Sequence, residues 1–136
     1  MLENVQLAKE IVVTVVNKIG VLADISKLIA EHGINIEAVA GYADKDNNAR
    51  IMLVTDDSLR VTDALKKSGY KSLSETEVIL VELENKTGAL KYLTAKLATE
   101  GIDIKAIYGT TCTGACPARM ILATSDNEKA LVALKK

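Results

Sequence analysis

Aromatic side chains are nearly absent from this sequence, which has no Phe or Trp and reaches only 3% aromatic content through four tyrosines. Hydrophobic residues nevertheless make up 49% of the chain, so we expect a packed core of aliphatic side chains. Proteins that bind single-stranded nucleic acids usually stack bases on exposed aromatic rings. The shortage of such rings argues against a nucleic-acid-binding function.

Neither sign of charge dominates, because 17 Lys and Arg face 18 Asp and Glu, for a formal net charge of −1. This balance provides no basic surface for a phosphate backbone. No apolar stretch approaches the roughly 18 residues that span a bilayer, and the first residues lack the features of a signal peptide. We therefore expect a cytoplasmic protein with no nucleic-acid or membrane partner, and no motif calls for a cofactor.

Cysteine is also scarce, since only Cys112 and Cys116 are present. Three intervening residues do not match a zinc knuckle, and there is no second pair of ligands. Two ordinary thiols are the favoured interpretation in a reducing compartment, with a redox or metal role as the alternative. We expect the pair to be dispensable for folding and for ligand binding.

Two parts of the sequence resemble each other at an offset of 68 residues. Residues 17–22 (Asn-Lys-Ile-Gly-Val-Leu) recur as residues 85–90 (Asn-Lys-Thr-Gly-Ala-Leu). Residues 33–36 (Gly-Ile-Asn-Ile) recur as residues 101–104 (Gly-Ile-Asp-Ile), and a one-residue insertion precedes the later matches. An internal repeat of this kind predicts that one fold occurs twice.

Each half of the chain contains the same predicted elements. Residues 11–16 and 78–83 are short β-branched and aliphatic runs, which suit first strands. Asp57 and Asp126 are predicted N-caps of the second helices. Apolar residues spaced at i, i+3 and i+7 predict one buried face for each first helix: Leu22, Ile25 and Ile29, then Leu90, Leu93 and Leu97.

The resulting order is strand, helix, strand, strand, helix, strand, the split βαβ pattern of ferredoxin-like folds. We predict an α+β protein of two βαββαβ units, with antiparallel sheets that carry helices on one face. The first repeat is placed at residues 8–76, and the second at 77–136 without a clear fourth strand. We expect the fourth strand of the first repeat to lead directly into the second, and an open sheet edge to be covered in a homodimer.

The loop between the first strand and the first helix is the strongest functional motif, because both repeats contain Asn-Lys-x-Gly-x-Leu there. A glycine at this position lets backbone N–H groups at the helix N-terminus approach a carboxylate, and the helix dipole favours negative charge. A tight turn alone would also use glycine. The occurrence of the same loop in both halves makes ligand binding an equal alternative.

On the glycine loops and the Gly-Ile-Asn-Ile-like steps, the chain resembles the ACT-domain family in a tandem, two-repeat form. The resemblance implies a non-enzymatic regulatory protein that pairs with a neighbour. It implies that an amino acid binds between the glycine loop of one domain and the second strand of another. The binding residues it implies are Asn17, Gly20, Val21, Leu22, Asn35, Ile36, Asn85, Gly88, Ala89, Leu90, Asp103 and Ile104. Many family members have proline before the glycine, where this chain has Ile19 and Thr87.

Two alternatives to an amino-acid sensor stay open. One is an interaction protein or regulatory subunit of a metabolic enzyme, with a vestigial ligand site. The other, less favoured, is an acylphosphatase-like enzyme, a class that holds phosphate with a loop arginine where this chain has Lys18 and Lys86. If an amino acid binds, we expect the pocket completed by Asn35 to be tighter, because an ionised Asp103 cannot donate to a carboxylate.

Overall fold

The computed structural model describes residues 2–136, which form six strands and four helices. In chain order these are β1 (Leu2–Val16), α1 (Val21–Glu31), β2 (Ile36–Ala43), β3 (Asn48–Thr55), α2 (Ser58–Lys67), β4 (Leu73–Leu83), α3 (Ala89–Thr99), β5 (Ile104–Thr110), β6 (Ala118–Thr124) and α4 (Asn127–Lys135). They divide into two compact units. The first unit is Lys9–Thr76, and the second unit combines the residues up to Ala8 with Glu77–Lys136. No helix in the described part of the chain is long and apolar enough to cross a membrane.

In the first unit, an antiparallel sheet packs against α1 and α2. β3 lies between β2 and β1, with Leu53 opposite Val39 on one side and Ile11 on the other. The strand β4 begins at the far side of β1, where the N–H of Thr14 donates to the carbonyl of Ser72 at 3.0 Å. The core between sheet and helices is aliphatic, as predicted: Ile11, Val13, Ile25, Ile29, Leu53, Val61 and Leu65 are buried in it.

The second unit repeats this arrangement with α3 and α4. β6 lies between β4 and β5, and Ile121 is opposite Leu80 on one side and Tyr108 on the other. Its core contains Ile79, Val81, Leu83, Leu93, Leu97, Leu122 and Leu134. The predicted α+β, ferredoxin-like fold with antiparallel sheets is therefore confirmed.

The strand β1 is much longer than the predicted residues 11–16, and its first half belongs to the second unit. Val5 is buried in the core of that unit, and Leu2 packs against the same cluster. Because β1 neighbours β4 in the sheet, this segment occupies the place of the fourth strand that the sequence of the second repeat lacks. The predicted continuity is also confirmed, since β4 runs unbroken from Leu73 to Leu83.

The buried face of each first helix begins one residue earlier than predicted. α1 buries Val21, Ile25 and Ile29, while Leu22 is 48% exposed. α3 likewise buries Ala89 instead of Leu90, which is 49% exposed. The assignment of Leu22 and Leu90 to the core was wrong, because spacings of i, i+4 and i+8 fit the buried stripe better. Both leucines are left to face solvent beside the glycine loops.

The predicted caps of the second helices are confirmed. The carboxylate of Asp57 accepts a hydrogen bond from the N–H of Arg60 at 3.2 Å, and that of Asp126 accepts one from the N–H of Lys129 at 3.0 Å. A capping bond of this kind satisfies a first-turn N–H that has no partner within the helix. α1 and α3, the first helix of each unit, have no such side-chain cap, so their N-termini differ from those of α2 and α4.

Candidate ligand clefts

Gly20 and Gly88 are the N-cap residues of α1 and α3, and both adopt a left-handed conformation with φ of +91° and +89°. Side chains with a Cβ rarely adopt this conformation, which is why glycine is needed here. No heavy atom lies within 4 Å of the point that a Cβ would occupy at either position. The start of each helix is thus open to an approaching group.

The glycine loops leave backbone donors at these open helix ends. In the first unit, the N–H of Val21 bonds across the turn to the carbonyl of Lys18 at 3.2 Å. The first bond within the helix runs from the N–H of Asp24 to the carbonyl of Gly20 at 2.9 Å. The two N–H groups between them belong to the first turn, which has no intrahelical acceptors. The same pair of bonds recurs in the second unit, so each loop presents two donors.

A cleft of about 350 Å³ lies between the glycine loop of the first unit and the second half of β2. Asn17, Val21 and Leu22 line one wall, and residues 39–43 line the other. Val39 and Tyr42 are 52% and 54% exposed there, which is unusual for large apolar side chains. The cleft therefore combines an apolar wall with the polar start of a helix, as ligand sites commonly do.

The second unit has an equivalent cleft of about 330 Å³ beside its glycine loop. Asn85, Ala89 and Leu90 line the wall formed by the loop and α3. Thr110 and Thr111, at the end of β5, line the opposite wall. Thr110 stands where the first unit has Tyr42, so this wall is smaller and more polar.

The structure brings together only part of the predicted binding set within each unit. Asn17, Val21 and Leu22 line the first cleft, and Asn85, Ala89 and Leu90 line the second. Gly20 and Gly88 line neither cleft, although each directly precedes a lining residue. Asn35 and Ile36 lie at the opposite end of the second strand. There the N–H of Asn35 donates to the carboxylate of Asp56 at 3.1 Å. Asp103 and Ile104 lie at the matching place in the second unit, where the N–H of Asp103 donates to Ser125 Oγ at 3.0 Å. Their participation from a neighbouring copy stays a prediction.

The residues that sequence reasoning missed are the far walls, residues 39–43 and Thr110 with Thr111. They lie on strands, and the apolar pattern of those strands predicts only a position in the sheet. No nearby sequence feature indicates that these residues face a loop. The one signal was Gly41, which recurs as Gly109 in the repeat alignment. Gly41 lies on the wall opposite the first loop, and Gly109 directly precedes Thr110 on the wall opposite the second loop.

The hairpin turn after the second strand is hydrogen-bonded to the glycine loop in both units. In the first unit, the side chain of Asn47 donates to the carbonyl of Asn17 at 3.1 Å, and the N–H of Asn17 donates to the carbonyl of Asn47 at 2.8 Å. In the second, the side chain of Asn85 donates to the carbonyl of Cys112 at 3.0 Å. Each turn thereby positions the first residue of its loop.

The clefts differ in charge. Glu84 precedes the second glycine loop and pairs with Lys86, with 3.2 Å between Oε2 and Nζ. Val16 occupies the corresponding place in the first unit, so no carboxylate accompanies Lys18 there. The lining of the second cleft therefore holds a carboxylate, offset by its lysine partner, and the lining of the first holds none.

Cys112 and Cys116 are joined by a disulfide across the turn between β5 and β6, with their Cα atoms 6.0 Å apart. This differs from the expectation of two ordinary thiols, because the turn folds the two residues back toward each other. Among residues 2–136, no group of three or more His, Cys, Asp or Glu is arranged to hold a metal ion.

Comparisons with known proteins agree with this fold. Residues 9–67, which extend from the start of the first unit to the end of α2, match the ACT domain family. No curated protein is significantly similar in sequence.

Solved structures match over almost the whole chain. Protein BT0572 from Bacteroides thetaiotaomicron superposes with a TM-score of 0.87 at 24% identity, covering 98% of this chain and 90% of that one. The ligand-free regulatory subunit of aspartate kinase from Thermus thermophilus gives 0.69 at 15% identity, with coverages of 98% and 96%. The same subunit from Thermus flavus gives 0.64 at 17%, with the same coverages. At these identities the likeness establishes the fold.

Proposed function

We propose that this protein is a tandem ACT-domain regulator that binds a free amino acid and thereby modulates an enzyme of amino-acid metabolism. The observation that carries the proposal is the same in each unit: a left-handed glycine N-cap and two first-turn N–H groups without intrahelical acceptors lie beside a cleft of about 350 or 330 Å³. A carboxylate on those donors would satisfy groups that otherwise need water.

The family match supports the regulatory class for the first unit, and the second unit has the same order of elements around an equivalent glycine loop. Two of the similar structures are described as regulatory subunits of aspartate kinase. A kinase that acts on an amino acid is accordingly the kind of partner that we propose.

The proposed binding mode places the ligand carboxylate on the N–H groups of Leu22 and Ala23. The rest of the amino acid then lies against the apolar wall formed by Val39 and Tyr42. Asn35 and Ile36 would come from the second strand of another copy in a homodimer. β2 can accept such a neighbour because, within the first unit, its described pairing is with β3.

We expect the first cleft to bind more tightly than the second. The second cleft contains the negative charge of Glu84, and its lysine is already paired. Asp103 is likewise engaged with Lys105, with 2.8 Å between Oδ2 and Nζ. These pairs favour weaker ligand binding in the second unit than in the first.

The first test is a thermal-shift screen of the twenty amino acids against the whole chain. A ligand that binds only the folded protein, at about 100 times its Kd, adds about 2.7 kcal/mol to the free energy of unfolding. One or a few amino acids should therefore raise the Tm by several degrees. If none does at millimolar concentration, the vestigial-site alternative replaces the sensor.

The second test places the site by titration calorimetry with the best ligand. Gly20→Asp puts a carboxylate at the helix start and should weaken binding about tenfold or more, through charge repulsion and loss of access. Gly33→Asp is the matched control, because Gly33 also has a positive φ of +69° and open space around its would-be Cβ, but lies at the far end of α1. Equal losses in both variants, or none in either, would show that the ligand binds elsewhere.

A further inference from the structure

The two units close their β-hairpin turns with different bonds. In the first unit, the carbonyl of Asp44 accepts the N–H of Asn47 at 3.1 Å, and its carboxylate accepts the N–H groups of Asp46 and Asn48 at 2.9 and 3.0 Å. In the repeat alignment, Cys112 stands at the position of Asp44. After the one-residue insertion, Cys116 stands at that of Asn47. The disulfide therefore joins the two positions that one backbone hydrogen bond, from Asn47 to Asp44, joins in the first unit.

The turn held by the disulfide also touches the second cleft at two points. Its first residue, Cys112, accepts the hydrogen bond from the side chain of Asn85, which begins the glycine loop. Thr110 and Thr111 lead directly into the turn and form the far wall of the cleft. A change in the conformation of the turn would therefore alter both walls of the second cleft.

We propose that Cys112 and Cys116 form a reversible thiol–disulfide site that controls ligand affinity in the second cleft. The oxidised pair holds the turn closed, the Asn85 bond in place and the cleft ready to bind. Reduction releases the turn and weakens binding. The first cleft does not respond, since hydrogen bonds alone close its turn. The statement about affinity rests on the proposed function, whereas the coupling of the turn to the glycine loop rests on geometry alone.

The chemistry requires a dithiol reductant. A thiolate of the reductant attacks the sulfur of Cys112, which is exposed, and the half-buried Cys116 leaves as a thiolate. The second thiolate of the reductant then attacks the mixed disulfide and releases Cys112. Two electrons pass to the cysteine pair, which takes up two protons, and the reductant ends as a disulfide. Exchange with an oxidised dithiol reverses every step.

Loss of the cross-link should weaken binding because the open turn samples many conformations, and the ligand must then reorder it. This revises the expectation that the cysteines are dispensable for ligand binding. The expectation that they are dispensable for folding is unaffected, because the first unit forms its turn without cysteine.

The geometric part can be tested without any ligand, by NMR of the unaltered chain before and after reduction, with the redox state verified by thiol alkylation and mass. Reduction should shift the side-chain amide signal of Asn85 and speed hydrogen exchange at residues 86–91. The matched loop at residues 17–23 serves as the internal control and should not change. An Asn85 signal that stays in place on complete reduction overturns the proposal.

The affinity part is tested with the best amino acid from the screen and the variant Gly20→Asp. Because this substitution weakens binding at the first cleft, the Kd of the variant measures binding at the second cleft. Reduction should raise the Kd of this variant about fivefold or more, which is the usual lower range of coupling between sites. Replacing both cysteines with serine should reproduce the reduced value and abolish the response to reductant. Unchanged affinity in the reduced protein overturns redox control. Failure of every amino acid to bind, combined with the expected NMR changes, rejects the proposed ligand but retains the redox-controlled loop.

Discussion

The substitution Val5→Ala tests whether the N-terminal half of β1 contributes to the stability of the second unit. Val5 is only 9% exposed and packs in the cluster that contains Val81 and Leu134. Removal of two methylene equivalents costs about 1.6 kcal/mol in transfer free energy, and an unfilled cavity adds to it. We therefore expect the free energy of unfolding to fall by about 1.5–2.5 kcal/mol, or the Tm by roughly 5–10 °C.

Val16→Ala is a matched control, because it makes the same change at the other end of the same strand, where the side chain is 66% exposed. Its effect should stay within about 0.5 kcal/mol. Urea unfolding of both variants gives the two free energies. Hydrogen exchange should localise the loss of protection in Val5→Ala to Glu77–Lys136. Equal stability of the two variants would refute the conclusion that the N-terminal segment completes the second unit.

Two further predictions concern the first turn and the assembly of the chain. Asn47→Gly keeps the left-handed backbone, observed at a φ of +61°, but removes the hydrogen bond to Asn17, so unfolding should become easier by about 0.5–1 kcal/mol in urea titrations. An unchanged midpoint would show that this bond does not hold the loop. The chain should also form a two-fold dimer, which light scattering at micromolar concentration would report as twice the monomer mass. A monomer mass across that range, with and without the ligand, would contradict the proposed pairing through β2.

Local patterns in the sequence were sufficient for most of the fold. β-branched runs indicated the strands, apolar spacing indicated the helices, and Asp57 and Asp126 marked two helix starts that the structure confirms. The motif shared by both repeats also indicated glycine turns at the starts of the first helices, where Gly20 and Gly88 adopt a left-handed conformation. These inferences succeeded because each depends on residues within one or two turns of each other, where backbone sterics and capping bonds decide the conformation.

Only the tertiary structure decided which distant segments meet. The N-terminal segment up to Ala8 mixes apolar residues with Glu3, Asn4 and Gln6, and nothing in it indicated that Val5 would enter a core formed by residues 77–136. The far walls of the clefts were equally hidden, because strands show which side faces the core but not which loop lies across their ends. The contact between Cys112 and Asn85 depends on the path of a hairpin turn. Sequence spacing alone therefore predicted the two glycine loops, while long-range packing determined which segments lie opposite them.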